Sequence, residues 1–159
     1  MTMKPDSLHH RMRDFVGEWT GTGDVLPNPW GPAGPVTGDW TFALDHGGFN
    51  LIHSYREVRP GGYLFDAHGV LTVDPATCEY VWFWFDNYGF PPLDPSRGSW
   101  TENSLFLEKV TPRGRSRSVF VLAGDCLDYR VEARAAGLST FVPVMRGTFA
   151  RTMPPVDAR

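Results

Sequence analysis

Glu79-Tyr80-Val81-Trp82-Phe83-Trp84-Phe85-Asp86 packs two tryptophans, two phenylalanines, a tyrosine and a valine between two acids. β-branched and aromatic residues at this density predict a strand. Large apolar side chains stand on both parities, so both faces call for cover and the strand belongs near the middle of a sheet. The flanking sequence supplies its partners. Turn signals stand at His46-Gly47-Gly48, Pro60-Gly61-Gly62, Asp74-Pro75-Ala76-Thr77, Pro91-Pro92 to Pro95, Pro112-Arg113-Gly114, Gly124-Asp125 and Ala136-Gly137, with short β-rich runs between them. This spacing predicts an all-β sandwich or barrel of about ten strands. Short consecutive connections favour an antiparallel up-and-down meander, and closure into a β-barrel removes the exposed edges.

Upstream, Pro5-Asp6-Ser7 is a helix start, and Leu8, Met12 and Phe15 recur at helical spacing, which predicts one short N-terminal helix within 1–14. From Phe15 to Gly23 the pattern alternates in period two, with Phe15, Gly17, Trp19, Gly21 and Gly23 on one face. Leu26 to Pro35 holds four prolines, two glycines and Trp30. It is longer than a hairpin needs and predicts a loop that covers a mouth.

At 159 residues the chain suits one domain spanning 1–159, with a frayed tail at 152–159. The aromatic share of 14% is high, so large rings must fill a core or line a pocket. A net charge of −3 without a basic stripe argues against nucleic acid as a partner. There is neither a signal-like N-terminus nor an apolar run near the ~18 residues of a membrane span, so a cytoplasmic, membrane-free protein is expected. Nothing in the composition bars a homodimer. Cys78 and Cys126 lie far apart and fit no metal spacing, so two reduced thiols and no metal are expected.

Turn lengths give a register. A two-residue turn at His46-Gly47 sets Leu44 opposite Phe49, Phe42 opposite Leu51 and Trp40 opposite His53. A three-residue turn at Pro60-Gly61-Gly62 sets Tyr55 opposite Ala67 and His53 opposite Gly69. A four-residue turn from Pro75 to Cys78 sets Leu71 opposite Trp82, Gly69 opposite Trp84 and Ala67 opposite Asp86. One inward row then carries Trp40, His53, Gly69 and Trp84. The next, nearer one end, carries Gly38, Tyr55, Ala67 and Asp86. A small barrel either packs its interior with side chains or holds one small ligand.

Gly17-Glu18-Trp19 on the first strand, with Arg151 ending the last, resembles the calycin pattern of lipocalins and their relatives. That resemblance implies that Trp19 plugs the closed end with Arg151 packed over its indole. A longer match resembles a bacterial family catalogued as a domain of unknown function, number fifteen seventy-nine. It rests on Phe15-Val16-Gly17-Glu18-Trp19-Thr20-Gly21, on Gly47-Gly48-Phe49, on Asp74-Pro75, and on Trp84-Phe85-Asp86-Asn87-Tyr88-Gly89. It implies a lipocalin-like barrel and brings no activity. Nitrobindin, a haem-binding ten-stranded barrel, is similar in layout but holds iron through a late-strand histidine. This chain has no histidine after His68, so no haem or other cofactor is expected.

Three functions follow. The first is a binding module for a small, mostly apolar or aromatic molecule lined by Trp40, His53, Tyr55, Trp82, Trp84 and Asp86. The second is an enzyme of isomerase or lyase type, with His53 as acid or base and Tyr55 or Asp86 orienting it. The third is a structural or partner-binding barrel with a filled interior. Each candidate has a plainer reading. Burying ~200 Å² of indole at ~25 cal/mol per Å² yields about 5 kcal/mol, enough to account for Trp40, Trp82 and Trp84 as core. A lone inward histidine is more often a satisfied core residue, and Asp86 can cap the turn at Asn87.

Overall fold

The structure, a computed structural model, describes residues 3–153. Helix α1 (Ser7–Arg11) runs into a 3₁₀ turn, Met12–Phe15. Ten strands follow: β1 (Gly17–Val25), β2 (Gly34–Asp45), β3 (Asn50–Val58), β4 (Leu64–Asp74), β5 (Glu79–Asp86), β6 (Ser96–Thr101), β7 (Ser104–Thr111), β8 (Gly114–Ala123), β9 (Cys126–Ala135) and β10 (Val142–Met153). Each pairs antiparallel with its sequence neighbours, and β10 closes onto β1, so the sheet is a closed up-and-down barrel. Thr152 and Met153, placed in the tail by sequence, extend β10, while 154–159 lie outside the described residues.

Asp6 caps the helix by accepting from the backbone N–H of Leu8 (3.0 Å) and His9 (3.1 Å). The helix then lays Met12 and Phe15, both fully buried, into one end of the barrel. There Trp19 Nε1 donates to the Phe15 carbonyl at 2.8 Å, and the Arg151 guanidinium lies 4.2 Å from the Trp19 ring centroid. Arg151 also donates to the carbonyls of Val16 and Asp14, tying the last strand to the chain that enters the first. Tyr80 Oη on β5 donates to the Leu8 carbonyl at 2.7 Å, and burial raises its phenol pKa to about 12. This end is closed. Gly21 lets β1 and β10 approach, since a Cβ there would stand 2.0 Å from the Thr148 carbonyl oxygen.

The register of β3 with β4 and of β4 with β5 follows the turn lengths residue by residue: Tyr55 faces Ala67, His53 faces Gly69, and Gly69 faces Trp84. Between β2 and β3 the expectation is off by two. His46 to Gly48 form a 3₁₀ turn that takes up more chain than a two-residue loop, and all three residues have positive φ (50°, 67° and 96°). Phe42 therefore faces His53, and Trp40 faces Tyr55. An even slip preserves parity, so the inward face is unchanged. The outer face of β5 is only partly covered: Val81 is buried, Phe83 half-buried and Phe85 exposed. Phe141 lies outside under the Arg117 guanidinium at 3.7 Å, next to the point where β10 shifts register between Pro143 and Met145.

Candidate functional site

The interior divides at Trp40. Below it, Phe15, Phe42, Leu51, Leu71, Leu105, Leu107, Phe120 and Phe149 fill the closed half with buried side chains. Trp40 itself is fully buried, stacked on Tyr55 (4.1 Å between centroids) and on Phe42 (5.2 Å), with Tyr129 edge-on at 5.2 Å. Above this layer the inward positions become smaller or polar: Ser96 on β6, Lys109 on β7, Ser116 and Ser118 on β8, Val131 on β9. These cannot fill the bore, and a chamber of about 220 Å³ remains. Tyr55, Phe65, Trp82, Trp84 and Tyr129 make its aromatic wall. β5 pairs with β6 only from Tyr80 to Trp82, so the strand beyond has β4 alone as partner and Trp84 stays half-buried.

The chamber meets an outer vestibule of about 790 Å³, and Arg59, Val131, Val144 and Met145 line both. The vestibule is mostly apolar, with Trp30 from the proline-rich loop, Tyr63, Tyr88 and Phe90 at its rim. Trp30 is held there by its loop, where Asn28 Oδ1 accepts from the Trp30 backbone N–H at 2.8 Å.

At the boundary sits a polar cluster that the sequence reading passed over. Glu57 is fully buried, yet both its oxygens are engaged. Tyr55 Oη donates to Oε2, and Arg59 Nε donates to Oε1 at 2.6 Å. Arg59 also donates to Tyr88 Oη at 2.8 Å and covers the Phe65 ring at 4.1 Å. Burial and then the Glu57 carboxylate push the Tyr55 phenol far above its ordinary value, and burial does the same for Tyr129. Both phenols stay protonated donors. The signal for Glu57 was available: His53, Tyr55 and Glu57 share one parity on β3.

The predicted site residues separate into two groups. Tyr55, Trp82 and Trp84 line the chamber. Trp40, His53 and Asp86 do not. Trp40 lies beneath its floor. His53 sits in the filled half, buried against Phe42 and Trp82, with Nε2 accepting from Trp82 Nε1 at 2.7 Å. Its Nδ1 then carries the proton and has no partner. Burial, and secondarily the charge of His68, lower its pKa to about 3, so the ring is neutral. Gly69 leaves room for the imidazole: a Cβ there would stand 2.7 Å from His53 Nε2. Asp86 accepts from Trp84 Nε1 (2.8 Å) and from the Tyr88 backbone N–H (2.9 Å), capping the turn. The acid–base cluster of His53, Tyr55 and Asp86 therefore does not assemble, because each is bonded elsewhere.

The chamber offers haem iron no imidazole. Its lining holds no histidine, and His53 Nε2 is already bonded to Trp82. Among the described residues no group of three or more His, Cys, Asp or Glu side chains is placed to hold a metal, and no helix is long and apolar enough to cross a membrane.

Comparison with known proteins gives a family and a fold. The model of the family described as "Protein of unknown function (DUF1579)" matches residues 4–118. No curated protein matches the sequence. Among solved structures, the chain is similar to Rv2717c from M. tuberculosis, at 16% identity and a TM-score of 0.71, covering 94% of this chain and 99% of that one. It is also similar to the S-type phycobiliprotein lyase CPES from Guillardia theta, at 10% identity and a TM-score of 0.66, covering 92% and 93%. A third barrel, EF1p2_mFAP2b bound to DFHBI, aligns at 11% identity and a TM-score of 0.50, covering 92% of this chain and all of that one. At such identities the likeness is one of fold.

Proposed function

Because this chain belongs to the DUF1579 family, whose description carries no activity, its role has to be read from the chamber, and we propose that it binds one small, mostly aromatic molecule there. The observation that carries this reading is the chamber itself, a space walled by five aromatic rings and entered through an apolar vestibule. Its volume of about 220 Å³ exceeds the roughly 150 Å³ of an engineered apolar cavity that takes up benzene. One ring with a substituent is the size it suits, and a longer ligand would extend into the vestibule. Barrels of this fold include a phycobiliprotein lyase and one bound to DFHBI, so small-molecule binding is compatible with the architecture. A wholly packed barrel would not leave this space, and acid–base chemistry at His53 has no support from its contacts.

Intrinsic fluorescence tests the proposal, since Trp82 and Trp84 line the chamber. Phenol and indole should each give a saturable, one-to-one change in tryptophan emission. Ser118→Leu, which fills space beside Tyr129, should abolish it. Mass spectrometry of the freshly purified protein under native conditions should show the physiological ligand as a mass adduct lost on activation. A linear, unsaturable response to ring compounds, or one unchanged in Ser118→Leu, would refute the reading.

A further inference from the structure

We infer that the chamber is built for a single-ring aromatic monoanion, a carboxylate of benzoate size, whose charged group lies on Lys109 and the hydroxyls of Ser96 and Ser116. This rests on the binding function proposed above and names its ligand class.

Charge leads the argument. Three ionisable side chains of full charge line the chamber: Glu57, Arg59 and Lys109. Glu57 and Arg59 neutralise each other at 2.6 Å. Lys109 has no ion pair or hydrogen bond among the described residues, which leaves one surplus positive charge. The acid beside it in sequence, Glu108, is on the opposite face of β7 and is engaged by Arg115 and Arg117, each at 2.9 Å. Arg117 also takes Glu132 at 3.3 Å. Asp86 is occupied by Trp84 and the Tyr88 backbone, and no carboxylate among the described residues is paired with Lys109.

Geometry gives the second line. Lys109 pairs directly with Ser116 across β7 and β8. On its other side Arg97 pairs with Glu108, which sets Ser96 across from Lys109. An ammonium and two hydroxyls thus stand in one row over three adjacent strands. Neither serine hydroxyl has a protein partner among the described residues, and Ser96 is only 7% exposed. Hydroxyls without a protein partner are free to donate to a ligand that enters the chamber. A carboxylate accepts several hydrogen bonds at once and matches a single positive charge. Rings flank this row on both sides, with Trp82 paired directly with Ser96 on β6 and Tyr129 on β9 beside β8, so a ring and its carboxylate would each meet its complement.

Access agrees with this assignment. Lys109 and Ser116 also line a surface hollow that carries Arg113, Arg115 and Arg134. This cationic collar draws anions toward the chamber more than neutral rings.

Calorimetric titration of the full chain with benzoate and with benzamide, its neutral counterpart of the same shape, decides the matter. Benzoate should bind about tenfold tighter or more. Lys109→Met should erase that preference by weakening benzoate far more than benzamide, and Lys109→Arg should keep it. Lys109 makes no ion pair or hydrogen bond among the described residues, so its loss should not lower the unfolding midpoint. If Lys109→Met were to misfold, the wild-type and Lys109→Arg preferences still decide. Equal binding of the two ligands by the wild type, or a preference that survives Lys109→Met, overturns the inference. Binding of phenol or benzamide without benzoate overturns it too, and leaves the binding function standing. Binding of none of them removes both.

Discussion

Lowering the pH should weaken the fold through one side chain, His53. Its imidazole is neutral in the folded protein because burial, aided by the charge of His68, depresses its pKa from 6.5 to about 3. In the unfolded chain it titrates at its ordinary value. Between these two values the unfolded state binds the extra proton, so stability is fully present above pH 6.5 and is lost as pH falls toward 3. The slope approaches about 1.4 kcal/mol per pH unit, and the integrated loss by about pH 5 is roughly 2 kcal/mol. For a chain of this size that is a fall of about 4–8 °C in Tm. Urea unfolding at a series of pH values, for the wild type and for His53→Gln, measures it. Glutamine keeps an acceptor for Trp82 Nε1 but does not titrate, so the stability gap between the two proteins isolates His53. The other histidines are common to both and cancel. The gap should shrink by roughly 2 kcal/mol between about pH 8 and pH 5. A gap constant over that window would refute the assignment of His53 as a neutral core residue.

Glu57→Gln should lower stability by about 2–3 kcal/mol in urea unfolding, because it leaves the Arg59 guanidinium half-buried without its counter-charge. Adding Arg59→Met should recover part of that loss, since glutamine still accepts from Tyr55; strict additivity of the two changes would show that the pair is not coupled. Ferric haem titrated into the protein should give no one-to-one Soret band, and a stoichiometric band that survives His53→Gln would reveal an axial ligand these contacts do not provide.

Much of the fold can be read from turn chemistry and parity. Pro60-Gly61-Gly62 and Asp74-Pro75-Ala76-Thr77 specify their hairpins closely enough to place β3, β4 and β5 in register. His46-Gly47-Gly48 does not, because two consecutive glycines and a histidine at positive φ permit a longer turn than the shortest one. The site was less legible for a different reason. Residue type and parity alone do not separate lining from core, and they leave the state of an inward charge open. Trp40 is too large to leave space around itself and lies beneath the chamber's floor. Glu57 and Lys109 share parity with inward neighbours, Tyr55 and Leu107, but a lone charge inside a barrel is legible only once its partner or its lack of one is known. Whether His53 faces a ligand or a core depends on which ring stands beside it, and a two-residue slip in one turn decides that.

The change in side-chain size along the bore gives the cavity its meaning. The closed half is packed mostly by leucine, phenylalanine and tryptophan from nearly every strand. Two residues further along the same strands, Leu107 gives way to Lys109, and Phe120 is preceded by Ser118 and Ser116. Valine or leucine at these places would continue the core and add about 1.5–3 kcal/mol for each side chain fully buried. Serine and lysine forgo that stabilisation and leave donors facing an open space. Interiors near packing density do not leave such a step without a use for it, and positions that sacrifice stability are those where function sets the residue. Under the proposed binding function, the polar row on β6, β7 and β8 would take a ligand's polar group and the rings on β3, β4, β5 and β9 around it would take its ring, with Glu57 and Arg59 at the entrance.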